Sequence, residues 1–428
     1  MVGCHKTADP AEAGRMSGLR SALVTRDNYG MERTNNIAFF ARTNFRAQRR
    51  IFGIKQADRL GHIYIVGKTG TGKSTLLETL MRMDLCAGNG FALLDPHGDL
   101  VEEVRAAVPA ERRDDLVYFN VPDASDVLGF NPLEPTLPAA RALVASGLLG
   151  AFKKIWADTW GPRMEHILRN ALLTLLDQPE ATLADVLRLF DDPGFRRAAI
   201  VHVENPQVRR FWIGEFEQYP WRLRAEAIAP IQNKVGAFLT HPILNRILTQ
   251  PRSSLDLRAL MDQGGILLVN LAKGRLGEDA AALLGALLVS HIGLAGLGRA
   301  EAPTEQRRDF FLYLDEFHTF TTLGLAGMLS ELRKYRVGMV LAHQYLTQLD
   351  EQVLDAVLGN VGTIVSFRVG LADAEILARE FHPILSPADL TNLPNHQIYL
   401  RLMIDGAVSR PFSAETIRAS ELPDLSGR

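Results

Sequence analysis

The chain has 428 residues, enough for two or three compact units of ordinary size. Hydrophobic residues at 47% and charged residues at 22% are the proportions of a soluble globular protein and exclude a disordered or fibrous chain. A net charge of −2 excludes the uniformly basic field of a nucleic-acid coat protein, while two cysteines, Cys4 and Cys86, are too few for a disulfide framework or a zinc site and predict free thiols in the cytoplasm.

Residues 1–50 are polar, rich in Asn, Arg and Thr, and show little periodicity, which predicts an extended, partly disordered arm. The charge is concentrated there. Residues 1–60 hold eleven Lys and Arg against five Asp and Glu, leaving the remainder acidic. The opening MVGCHKTADPAEAGR has no apolar signal core, and its acidic residues do not suit a mitochondrial presequence, so no export is expected. The folded body is expected to begin near Ile51.

From His62 the chain reads as a strand (HIYIV), a glycine loop, a helix from Ser74 to about Ala87, a Gly88-Asn89-Gly90 turn, a strand (FALLD) and a further helix from Leu100. Another short strand covers 116–119. Prolines at 122, 132, 135 and 138 then break the pattern, and between about Arg141 and Asp262 the apolar spacing is helical with no convincing strand. Alternation resumes with strands at 266–270, 310–316, 338–344 and 363–369. Apolar runs of this length suit strands buried on both faces of a parallel sheet, so functional groups should gather at their C-terminal ends. The apolar stretch Ala280 to Gly298 is long enough to cross a bilayer. Ser290 and His291 at its middle, and Glu278 and Asp279 at its start, favour a helix buried against a sheet, and no integral membrane segment is expected.

Gly67, Lys68, Thr69, Gly70, Thr71, Gly72, Lys73 and Ser74 fit the pattern G-x-x-x-x-G-K-[ST], between a predicted strand and a predicted helix. Glycines let the backbone wrap a phosphate with its N–H groups inward, and the helix N-terminus adds positive potential. Lys73 would reach the β and γ phosphates and Ser74 would ligate Mg²⁺, with Thr75 closing the loop. This predicts ATP binding. The strand 310–316 ends in Asp315 and Glu316, suited to holding magnesium through water and to polarising an attacking water. Gln344, at another strand end, could touch the γ phosphate and that water. Asp95-Pro96-His97-Gly98-Asp99 also follows a strand, and Asp99 is expected to cap the next helix. His97, His318 and His343 lack metal-ligand spacing and are assigned to packing or polar contacts. Arg333, Lys334 and Arg336 form a basic cluster that would complement a helix C-terminus.

Several motifs taken together, GKTGTGKST, LLDPHGD, Asn131-Pro132-Leu133, LYLDEF, LRKYRVGMVLAHQ and GNVGTIVSFRVGLADAEILAREF, resemble in their order the hexameric DNA-pumping ATPases of the HerA and FtsK superfamily. The resemblance is strongest to the coupling proteins of type IV secretion and conjugation. It spans about Ile51 to Ile404. It implies an α/β, RecA-like P-loop NTPase motor with a mostly parallel sheet, split into residues 51–140 and 263–428 around an all-α insertion at 141–262, behind the 1–50 arm. It implies Lys73 and Ser74 as the Walker A pair, Asp315 and Glu316 as the Walker B pair and Gln344 as a sensor. Arg333, with Arg336 as the fallback, would be a finger acting on a neighbouring subunit. The implied partners are DNA, further copies of the chain in a hexameric ring, and a relaxase or secretion component through which the protein could sit at the inner membrane. Such proteins commonly begin with transmembrane helices, and the polar arm departs from that pattern. The residues also fit a DNA-processing or defence ATPase working with a nuclease, or a nucleotide-gated binding switch with slow hydrolysis.

Overall fold

The computed structural model describes residues 36–45, 49–123, 128–134 and 138–422. Cys4 and most of the expected arm lie outside these residues. The described chain forms two compact units. The first is drawn from residues 36–89, Gly338–Gln348 and 358–422, the second from Gly90–Val337 and Leu349–Val357.

In the first unit the strands are β1 (Ile37–Thr43), β2 (Ile51–Lys55) and β3 (Ile63–Val66), and in the second β4 (Gly90–Asp95), β5 (Leu116–Asn120), β6 (Ile266–Asn270) and β7 (Phe310–Leu314). The first unit then adds β8 (Val337–His343), β9 (Thr363–Ser366), β10 (Gln397–Arg401), the short hairpin β11 (Met403–Ile404) and β12 (Ala407–Val408), and β13 (Phe412–Thr416). Its strand order is β2-β1-β13-β10-β9-β3-β8. Only β3 is parallel to its neighbours, pairing Ile65 with Ala342 of β8 and with Val365 of β9. The other pairs are antiparallel. The second unit has the order β7-β4-β6-β5, all parallel. Its strands are the apolar runs anticipated above, and β4, β6 and β7 are buried along their whole length.

The folded body starts earlier than residue 51. β1 is a buried strand, flanked by β2 and β13, inside the segment expected to be an arm. Its run Ile37–Ala41 buries five consecutive apolar residues, and that burial outweighs the polar composition on either side.

Helix α1 (Lys73–Ala87) leaves the loop after β3 and ends at Gly88, whose left-handed φ of 73° lets its N–H close back on the carbonyls of Asp84 and Leu85. Its Asp84 makes a two-pronged, fully buried ion pair with Arg59, at 2.6 and 2.8 Å. In the second unit α2 (Asp99–Ala107) follows β4. Between β5 and β6 every regular element among the described residues is helical, including α3 (Arg141–Ile155), α4 (Pro162–Leu176) and α5 (Trp221–Leu239). Asn131 ties the ends of this stretch together, donating from its amide to the carbonyls of Ala181 and Pro251, both at 2.9 Å.

α6 (Glu278–Gly298) is the helix long and apolar enough to cross a membrane, and 78% of its most apolar window is buried inside the protein. α3 lies against it so closely that a Cβ on Gly147 would fall 2.2 Å from Ser290 Oγ. The helical stretch belongs to the same compact unit as β4–β7. α7 (Leu323–Glu331) and α8 (Leu371–Glu380) follow β7 and β9.

Candidate nucleotide site

The loop between β3 and α1 is fixed by its backbone. Gly67 N–H donates to the His343 carbonyl at 3.3 Å, Lys68 N–H to Arg368 at 2.9 Å, and the Thr71 carbonyl accepts from His396 N–H at 2.8 Å. Gly72 has a φ of 118°, which a side-chain-bearing residue rarely adopts, and a Cβ there would come within 2.7 Å of the His396 ring. Lys73 is buried and folds back, donating from Nζ to Gly67 O at 2.6 Å and Lys68 O at 3.3 Å. Lys68, Thr69, Gly70 and Ser74 are exposed, and Thr75 is half-buried. A closed glycine arch at the start of a fifteen-residue helix is suited to a phosphate chain, with an ammonium held at its centre.

Gln344 belongs to this neighbourhood. Thr69 Oγ1 donates to its Oε1 at 2.9 Å. Behind it His343 is fully buried and shares a 2.6 Å hydrogen bond with Tyr64 Oη. The Asp373 carboxylate, accepting from Leu346 N–H at 3.0 Å, anchors the turn that follows, and burial pushes its pKa up against the pull of Lys68.

In the second unit, Asp315 and Glu316 follow β7 and are both buried. Asp315 Oδ1 accepts from Glu316 N–H at 3.0 Å. Glu316 has a φ of 46°, the left-handed region, a strained conformation for a residue with a side chain. His318 Nδ1 stands 3.4 Å from Glu316 Oε2. Burial holds the His318 imidazole below its ordinary pKa; Glu316 opposes this, and Lys154 and Lys273 reinforce it.

Arg333 lies in the single 3₁₀ turn Leu332–Tyr335 after α7. That turn is clamped by Arg299, fully buried at the end of α6, which donates to the carbonyls of Tyr335 at 2.9 Å and Arg308 at 2.8 Å and pairs with Asp262. The Arg333 side chain is exposed and makes no hydrogen bond or ion pair among the described residues. Arg336, the fallback, is engaged with Asp309 at 2.7 Å. Asp99 does not cap α2. Asp95 does, accepting from His97 N–H at 2.8 Å and Val101 N–H at 3.2 Å, while Asp99 is exposed one position inside the helix.

Sequence reasoning missed Arg368, His396 and Lys154. The first two follow β9 and precede β10, and only the alternating burial of Gln397–Arg401 could have pointed to a strand there. Lys154 carries no local signal.

The strands, the glycine arch and the acidic strand end define an α/β, RecA-like P-loop NTPase fold. Among solved structures, the bacterial conjugative coupling protein TrwBdeltaN70 superposes with a TM-score of 0.60 at 17% identity, covering 86% of each chain. Plasmid coupling protein TrwB in complex with ADP and Mg²⁺ gives 0.60 at 18% identity, over 85% of this chain and 86% of that one. VirB4 of Thermoanaerobacter pseudethanolicus gives 0.59 at 13% identity, over 89% and 96%. No protein-family model matches the sequence, and no curated protein matches it.

Proposed function

We propose that this protein is a magnesium-dependent ATPase that moves DNA, working as a ring of identical subunits in the manner of a conjugative coupling protein. The observation that carries this reading is the hydrogen bond between Thr69 of the glycine arch and Gln344, which ties a γ-phosphate-side amide to the loop that would hold the phosphates. Likeness of fold to TrwB, solved with ADP and Mg²⁺, supports nucleotide and metal binding.

In this reading the arch N–H groups and Lys73 hold the phosphate chain, and Gln344 orients the attacking water. Glu316 accepts that water's proton as its oxygen attacks the γ phosphorus and the bond to the bridging oxygen of ADP breaks. The Ser74 hydroxyl and the Asp315 carboxylate are hard oxygen donors suited to Mg²⁺, Asp315 acting through water. The ion would supply charge neutralisation on the phosphates. Arg333, exposed on a turn held by Arg299, would act on the nucleotide of an adjacent subunit, so that hydrolysis requires assembly. The helical stretch 141–262 would be the module that meets DNA or a relaxase. The ring would work in the cytoplasm and reach a secretion channel at the inner membrane through its partners.

The test is steady-state ATP hydrolysis by the full chain with and without duplex DNA, beside Lys73→Ala and Glu316→Gln. DNA-stimulated turnover lost in both variants supports the reading. Undiminished hydrolysis in both would sink the assignment of the site, and turnover indifferent to DNA would favour a slow nucleotide-gated switch.

A further inference from the structure

The turn carrying Glu316 is gripped from the helical stretch. Lys154, in the last turn of α3, donates from Nζ to the backbone carbonyl of His318 at 2.6 Å, and Thr321 Oγ1 donates to the same carbonyl at 3.0 Å. The ring of that histidine stands against the Glu316 carboxylate. Burial holds the Lys154 ammonium below its ordinary range, partly offset by Asp350. Drawing a long, half-buried cationic side chain to one carbonyl costs desolvation and rotamer freedom, which a charge-assisted hydrogen bond offsets.

The packing around this contact is tight. A Cβ on Gly285 of α6 would lie 2.2 Å from the Phe320 ring, and Gly150 of α3 faces Thr322 at ordinary contact distance. The left-handed backbone at Glu316 is strained for a residue with a side chain and persists only where its surroundings over-determine it. Thr319 N–H closes the turn onto the Glu316 carbonyl at 2.9 Å, so displacement of the 318–321 segment is passed directly to the glutamate.

We propose that Lys154 is a positioning residue for Glu316: by holding the His318 carbonyl it fixes the turn that aims the carboxylate, and it makes α3 the element through which the helical stretch governs hydrolysis. This rests on Glu316 being the group that takes the proton from water. Lys154 touches no reacting atom.

The experiment uses the full chain with Lys154→Met and Lys154→Arg, with Glu316→Gln and Lys73→Ala as references. ATP hydrolysis gives kcat and KM, and a fluorescent ATP analogue gives affinity. Lys154→Met is expected to bind the analogue as the parent does and to keep its KM while kcat falls about 10- to 100-fold, the loss that a misplacement of about 1 Å produces. Lys154→Arg, which can still reach the carbonyl, is expected to recover most of the rate. Parent-like kcat in Lys154→Met, an equal loss of affinity and kcat, or no recovery in a well-folded Lys154→Arg would each overturn the proposal. If Lys73→Ala and Glu316→Gln also hydrolyse normally, the reading of the site itself has failed. If those two are inactive and Lys154→Met is not impaired, only the positioning role has.

Discussion

At residues 67–75 the arch is joined to the segments at His343, Arg368 and His396 by backbone N–H groups meeting backbone carbonyls, with Thr71 and Lys73 bridging the arch they belong to. At residues 315–322 the turn is fixed by side chains, several of them distant in sequence: Asp315 on the following N–H, His318 on Glu316, Lys154 on His318, and α3 and α6 pressed against the threonines and Phe320. The glycine arch is thus held largely through main-chain groups, which a substitution leaves in place, and the acidic turn largely through individual side chains, which a substitution removes. Holding nucleotide and cleaving it should therefore fail separately under mutation.

The largest expected separation comes from Arg333→Ala. It should leave nucleotide affinity unchanged and lower turnover by about 10³- to 10⁵-fold. Mixing it with Lys73→Ala subunits should restore part of the activity, while Arg336→Ala, whose parent side chain is tied to Asp309, should leave chemistry largely intact. Next, Glu316→Gln should retain ATP binding by fluorescence titration and lose about 10²- to 10⁴-fold in kcat, whereas Lys73→Ala should lose the binding signal itself. A tightly bound Lys73→Ala, or a Glu316→Gln that no longer binds, would erase the contrast between the two regions.

Stability sharpens the same comparison. Asp84→Ala would strand the fully buried Arg59 guanidinium and should cost about 3 to 5 kcal/mol in urea unfolding of the first unit. The smallest effect tests the capping of α2: Asp95→Ala should cost about 1 kcal/mol, and Asp99→Ala should change unfolding by less than about 0.5 kcal/mol.

The parallel strands were legible because a strand buried on both faces must be apolar throughout, as β4, β6 and β7 are. The antiparallel ones were not. β10 and β13 alternate buried and half-buried residues over only five positions, and β1 is an apolar island in polar text, one of whose partners, β13, lies at the far end of the sequence. Lys73, Ser74, Asp315, Glu316 and Gln344 were singled out because glycine spacing and strand ends mark such positions in the sequence, and the proposed function rests on them. Lys154 could not be, since nothing in KKIW announces that an ammonium will reach a carbonyl 164 residues away. The capping role was assigned to the wrong aspartate because Gly98 takes the N-cap position, which puts Asp99 in the helix and leaves Asp95 to accept from the Val101 N–H.

β1 also bears on how this protein should be trimmed for the bench. It hydrogen-bonds to β2 on one side and, through Ala41 and Thr416, to β13 on the other. Cutting at residue 51 would strip out an inner strand, bare two rows of unsatisfied amides and carbonyls, and invite edge-to-edge clumping.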